Sequence, residues 1–205
     1  MDLKQHWEKV YSTKASNEVS WYQPVPATSL AFIRGFALPK SAAIIDVGGG
    51  DSALAKHLLA EGYTDITVVD ISAHALARAQ QRMGENAKRV HWIVADICSW
   101  QPQRHYDLWH DRAVFHFMRS EEQLQAYLSA ASGHVRANGW MTIGTFAEDG
   151  PEKCSGLEVR RYSDETLEHV LANDFRKLKC IREDHRTPFN TTQHFLFCSF
   201  SRKAA

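Results

Sequence analysis

The chain has 205 residues, 44% of them hydrophobic and 23% charged, a length and balance that suit one globular domain and exclude a disordered or fibrous chain. Lys plus Arg and Asp plus Glu both total 24, so no surplus of positive charge is present to hold a nucleic-acid backbone. No apolar stretch of roughly 18 residues occurs, and Asp2, Lys4, His6, Glu8 and Lys9 interrupt what would be a secretory core; the expectation is a cytoplasmic protein without nucleic-acid or membrane partners.

In chain order, Trp21, Tyr22, Gln23 and Pro24 lead into helical spacing over 27–37, and residues 1–40 are read as an N-terminal helical cap. Strand-length runs rich in Val, Ile and aromatics follow at 43–47, 66–70, 90–95, 106–110 and 140–146. Between them, 52–61, 73–83 and 121–135 carry apolar residues at helical spacing, the last opening on the capping-box pattern Ser120-Glu121-Glu122-Gln123. Such alternation predicts parallel strands covered by helices.

The final third departs from it. After a helix over 163–172, strands at 178–183 and 194–201 are joined by a polar turn too short for a crossover helix, so they are expected to pair antiparallel. The predicted fold is therefore α/β, one domain over 1–205, with a Rossmann-like seven-stranded sheet of five parallel strands plus a C-terminal antiparallel hairpin and helices on both faces. Cys98, Cys154, Cys180 and Cys198 form no C-x-x-C pair and read as buried free thiols.

The loop after the first strand runs Asp46-Val47-Gly48-Gly49-Gly50-Asp51-Ser52. Glycines allow a sharp turn and close approach to a ligand, and the next helix offers unpaired N–H groups there. The spacing of Gly48, Gly50 and Ala53 also fits the dinucleotide fingerprint, which keeps an NAD-dependent oxidoreductase open. Three carboxylates at successive strand ends add to the loop. Asp46 suits an ammonium group; Asp70, twenty positions beyond Gly50, suits ribose hydroxyls; Asp96 suits an adenine amino group, with Ile97 as an apolar face for the ring.

On these residues the sequence resembles the class I S-adenosylmethionine-dependent methyltransferases of the small bacterial methyltransferase-domain type, over roughly residues 7–200. The resemblance implies S-adenosyl-L-methionine as cofactor. It assigns Asp46, Gly48, Gly49 and Gly50 to the methionine part and its turn, Asp70 to the ribose, Ile71 beside the adenine, and Asp96 and Ile97 to the adenine edge and face. Many relatives carry another residue where this chain has Gly49. The Asp-Pro-Pro-Tyr type of motif used on DNA bases is missing after the fourth strand, which speaks against a DNA acceptor. A small-molecule acceptor is expected, with a protein lysine as the alternative and a non-catalytic cofactor-binding module as another.

The segment from Tyr106 to Phe117 ends the fourth strand, where the resemblance places the transferred methyl group. Asp111 and His116 are the candidate general bases, and His110 and Arg112 candidate acceptor-binding residues; equally, Asp111 pairs or caps and His116 packs. The spacing of His110, Asp111 and His116 matches no metal motif, and no metal is expected. Trp21 and Tyr22 are read as cofactor- and acceptor-facing aromatics, since a sulfonium is a cation that an aromatic face attracts. Trp7 and Tyr11, four apart, are expected to pack on the sheet. The Gly- and Pro-containing stretch 147–162 is expected to form an acceptor lid, with Arg160 as a candidate anion contact.

Overall fold

A computed structural model describes residues 2–204; residues 1 and 205, the ends of the predicted domain and the first residue of its cap, lie outside the described residues. The elements in order are α1 (Leu3–Thr13), α2 (Ala27–Gly35), β1 (Ala43–Val47), α3 (Leu54–Ala60), β2 (Asp65–Asp70), α4 (Ala73–Met83), β3 (Val90–Val94), β4 (Tyr106–Arg112), α5 (Glu121–His134), β5 (Val135–Phe146), β6 (Lys153–Cys154), β7 (Leu157–Glu158), α6 (Asp164–Leu171), β8 (Phe175–Arg186) and β9 (Thr192–Arg202).

Seven strands form one sheet in the order β3-β2-β1-β4-β5-β9-β8. The first five are parallel; β9 runs antiparallel to β5, and β8 antiparallel to β9. The expected architecture is thus present. Both faces of β1, β2 and β4 are buried because alternate residues serve two cores. Ile44, Ile66, Val68 and Leu108 face α2, α3 and α4, whereas Ile45, Val69, Trp109 and Ile143 face α5 and α6. Chain order reverses between β1 and β4, so a crevice opens at their carboxyl ends, where ligands bind in such sheets.

Two strands, β5 and β8, extend furthest beyond their apolar runs. β5 begins at Val135, directly after α5, and pairs Val135 with Tyr106 before its register shifts. β8 is the sheet's edge, and its polar outward residues hide a strand that extends to Arg186. The expected turn shrinks accordingly to the residues between Arg186 and Thr192.

That hairpin also corrects the cysteine reading. Cys180 and Cys198 stand directly opposite each other on β8 and β9, their Cα atoms 4.1 Å apart, and they are joined as a disulfide. Cys98 and Cys154 remain free, the first half-buried and the second buried. Residues 147–162 are not a plain loop: they contain the small β6–β7 hairpin, whose Cys154 and Val159 sit against Phe32, Phe146, Phe195 and Phe197.

A cofactor cleft roofed by the N-terminal helix

The crevice at the sheet's carboxyl edge holds a cleft of about 800 Å³. Its floor is the end of three strands: Val47 and Gly48 after β1, Asp70 and Ile71 after β2, and Asp96 and Ile97 after β3. A second lobe of about 580 Å³ continues past Gly48 to Gly49, Asp46 and His110, with Trp21 and Arg112 lining both.

The glycine loop leaves no room for side chains. Gly48 and Gly50 have φ of +62° and +47°, a region costly for other residues. At Gly49 a Cβ would lie 2.5 Å from Asp46 Oδ2 and 2.7 Å from Val68. Glycine there is thus a requirement of this chain, although the sequence alone marks it only as compatible.

Asp46 is buried and accepts from His110 Nδ1 at 2.7 Å, while His110 Nε2 meets Ser29 Oγ at 2.8 Å. One carboxylate oxygen is thereby held by β4, the neighbour of β1 in the sheet. Asp70, also buried, accepts from the Ser72 amide at 2.8 Å. Burial, and after it the charges of Asp46 and Glu8, push its carboxyl up to about 7. Asp96 accepts from the Cys98 amide at 2.9 Å, which anchors it at the cleft wall.

α1 forms the roof. Trp7, Tyr11 and Trp21 line the cleft and meet edge to face or tilted, with Trp7 centred 5.7 Å from Trp21 and 5.3 Å from Phe117. Glu8, on the same helix, caps the N-terminus of α4: it accepts from Ser72 Oγ and from the amides of Ala73 and His74 at 2.8–3.1 Å. Burial opposes its charge, yet the hydrogen bonds from Ser72 and His74 hold its carboxyl down to about 2.

Residues 45–141 match the family model described as "Methyltransferase domain". Nodulation protein S of Rhizobium fredii is 28% identical over 80 residues, 39% of this chain and 45% of that protein. Malonyl-[acyl-carrier protein] O-methyltransferase 2 of Ilyobacter polytropus is 25% identical over 107 residues, 52% and 40% of the two chains. The matched segments thus span less than half of these relatives. In fold, the chain is similar to the N-methyltransferase NodS of Bradyrhizobium japonicum in complex with S-adenosylhomocysteine, with a TM-score of 0.72 at 15% identity over 99% of this chain and all of that one.

Residues 45–141 thus match a methyltransferase domain, and the fold around them is similar to that of an N-methyltransferase solved with S-adenosylhomocysteine. S-adenosylmethionine fits the residues present: a loop in which a Cβ at Gly49 would strike Asp46 and Val68, and a buried carboxyl, Asp70, that lines the cleft.

Trp21, Asp46, Gly48, Gly49, Asp70, Ile71, Asp96, Ile97, Tyr22, His110 and Arg112 all line one lobe or the other. Gly50 lies beneath, where a Cβ would come 2.9 Å from both Asp70 Oδ2 and the Tyr11 hydroxyl. Three expected residues stand apart from the cleft. Asp111 is turned into the core, accepting from the Tyr127 hydroxyl at 2.7 Å and from the Val114 and Phe115 amides at 3.0 and 3.2 Å. His116 is fully buried against Phe117 and Phe146, its ring nitrogens without hydrogen-bond partners. Burial and then the Arg112 charge press its imidazole down to about 3. Arg160 is exposed and lies over Tyr162.

Trp7 and Tyr11 reverse the expectation made for them, because they line the cleft instead of merely packing on the sheet. Their four-residue spacing shows that they share a helix face but not what lies beneath it. His110, Asp111 and His116 face three different surroundings and do not converge.

Proposed function

We propose that the protein transfers the methyl group of S-adenosylmethionine to a small molecule bound under the aromatic roof of the cleft. The observation that carries this reading is the roof itself. Trp7, Tyr11 and Trp21 cover part of the cleft and Cys154 of the β6–β7 hairpin lines it as well, so the walls are largely apolar. A partly roofed, largely apolar cleft suits a compact acceptor.

The bound cofactor supplies a methyl group on a positively charged sulfur, already activated for displacement, and what remains for the chain is alignment and exclusion of water. Asp70 accepts the ribose hydroxyls in this reading, and Asp96 and Ile97 take the adenine. Gly48, Gly49 and Gly50 let the backbone close on the methionine part. Asp46, held by His110, faces the ammonium group. The aromatic faces of Trp7 and Trp21 favour a cation beneath them. Residues 147–162 serve as the lid through Cys154, and 2–40 as the cap.

Proton transfer takes a smaller part. Asp111 is committed to three donors and His116 to a dry aromatic niche, so neither is proposed as a general base. An acceptor nucleophile that arrives unprotonated, or loses its proton to water, needs none. The relatives carry the names N-methyltransferase and O-methyltransferase, and both nitrogen and oxygen stand as accepting atoms.

The test is incubation of the protein and methyl-labelled S-adenosylmethionine with fractionated cell extract. Label in the low-molecular-weight fraction is the expected result. Label confined to polypeptide would replace the small-molecule acceptor by a protein one.

A further inference from the structure

Arg112, the last residue of β4, stands between the two lobes of the cleft and lines both. One of its terminal nitrogens, Nη1, donates to the Trp21 carbonyl at 2.8 Å. The guanidinium lies 5.0 Å from the centre of the Phe195 ring. Its plane is therefore held by stacking on one side and by one hydrogen bond at one corner. The other two nitrogens, Nε and Nη2, are buried and have no hydrogen-bond partner.

Those two nitrogens form one edge of the guanidinium, with two parallel N–H bonds, the arrangement that a carboxylate fills with both oxygens. Buried donors left without acceptors are costly, and charged ones more so. The neighbouring acids do not reach this edge. Asp46 binds His110, and Asp51 binds Arg78 and Arg82; Glu183, the acid whose charge acts most on Arg112, accepts from the Gln23 amide at 3.0 Å through one oxygen, and its other oxygen is buried without a partner. Among the described residues no carboxylate lies within 4.0 Å of the Arg112 guanidinium. The nearby imidazoles of His116 and His185 are both pushed toward the neutral form, by burial first and by Arg112 second. The cleft thus presents a single rigid cation with an open fork.

We propose that the free Nε and Nη2 edge of Arg112 receives a ligand carboxylate in the cleft. That chemistry has two sources. One is the amino-acid end of the cofactor, which would enter the lobe shared with Gly48 and Asp46. The other is a carboxylate on the acceptor, which would make the acceptor a small apolar or aromatic acid; this second source rests on the small-molecule reading above.

The experiment compares unsubstituted protein with Arg112→Lys, which keeps the charge and the aliphatic stem but loses the planar fork, and with Arg112→Gln. Calorimetric titration uses S-adenosylhomocysteine, its carboxamide analogue and 5′-methylthioadenosine, which has no amino-acid end. Benzoate and indole-3-acetate are then titrated into the protein saturated with S-adenosylhomocysteine. If the cofactor supplies the carboxylate, both variants bind S-adenosylhomocysteine at least tenfold more weakly and methylthioadenosine within twofold of the unsubstituted protein, which itself discriminates against the carboxamide. If the acceptor supplies it, the nucleosides bind equally to all three proteins, and an aromatic acid binds only where Arg112 is present.

Nucleoside and acid affinities that are all unchanged by both substitutions would overturn the proposal, as would equal losses for S-adenosylhomocysteine and methylthioadenosine. Should a variant fail to fold, equal affinity of the unsubstituted protein for the acid and its carboxamide, with no aromatic acid bound, overturns it as well. Unsubstituted protein that binds neither nucleoside would instead remove the methyl-transfer reading, and the aromatic acids would then decide on Arg112 alone.

Discussion

Glu8 on α1 and Ser72 at the start of α4 are tied by a 2.8 Å hydrogen bond from the serine hydroxyl to the carboxylate, and this link fixes the roof of the cleft. At the C-terminal end of α1, Arg78 of α4 donates to the Tyr11 and Lys14 carbonyls at 2.8 and 2.6 Å. The helix that carries Trp7 and Tyr11 is therefore clamped at its middle and at its C-terminal end by one partner, each clamp completing unpaired backbone groups at a helix end.

Removing the first clamp should loosen the roof. Glu8→Ala is expected to destabilise by about 1–2 kcal/mol, the usual range for loss of a helix N-cap, which for a domain of this size lowers Tm by roughly 2–8 °C. Affinity for S-adenosylhomocysteine should fall with it. Because the Glu8 carboxyl lies below its ordinary value of 4.5, its stabilisation is present above pH 4.5 and is lost as pH falls toward 2. Thermal melts of the two proteins between pH 7 and pH 2 check this: the difference in melting point should hold down to pH 4.5 and narrow below it, and identical melting points throughout would show that the clamp carries no stability.

Asp70 makes cofactor affinity depend on pH near neutrality. Its carboxyl is raised from 3.8 to about 7 by burial and by the charges of Asp46 and Glu8. In the ligand-free fold this stabilises below pH 4 and is lost as pH rises through 7. Ribose hydroxyls donate to the ionised carboxylate, so binding should strengthen from pH 6 to pH 8 and release a proton. Calorimetry in two buffers of different ionisation enthalpy reads that proton directly. Asp70→Ala should weaken binding by about tenfold or more and abolish the pH trend; a variant with the same affinity would place Asp70 outside the site.

The Asp111 carboxylate belongs to the scaffold. Trp109 Nε1 donates to the Tyr127 hydroxyl at 2.9 Å, and that hydroxyl donates to Asp111, which also holds the two amides that start the turn at Val114. Asp111→Ala leaves three donors unsatisfied in a buried site, and a loss of about 3–5 kcal/mol is expected. Tyr127→Phe, which keeps the ring, should cost about 1–2 kcal/mol. Chemical unfolding gives both values. An Asp111→Asn protein of unchanged stability but strongly reduced turnover would restore it as a catalytic group.

His116 should tolerate loss of its imidazole. With no partner for either nitrogen, His116→Leu removes a buried polar group and is expected to change stability by less than about 1.5 kcal/mol while leaving methyl transfer intact. Its value of about 3, against 6.5 when unfolded, means that the unfolded chain takes up a proton first; stability falls as pH drops below 6.5, and the leucine variant should lose that part of the slope. A hundredfold fall in turnover with unchanged cofactor affinity would contradict this account.

Much of the molecule is legible in the sequence because its signals are local. The runs at 43–47 and 73–83 coincide with β1 and α4, and Asp46, Asp70 and Asp96 follow strand ends whose position a period of two or 3.6 reveals. Parallel strands put every such end on one edge, so chain order alone brings those carboxylates to a common cleft. Where burial is one-sided the reading shortens, as along the polar edge strand β8.

What chain order could not supply is direction and partnership. Asp111 and Arg112 are adjacent, yet strand alternation sends the first into the core and the second to the cleft. The bond between Cys180 and Cys198 depends on the register of two antiparallel strands, and the use of Trp7 and Tyr11 on where α1 docks. Local periodicity determined the sheet, the glycine loop and its three carboxylates; packing between distant segments decided which side chains roof the cleft and which lie buried beneath it.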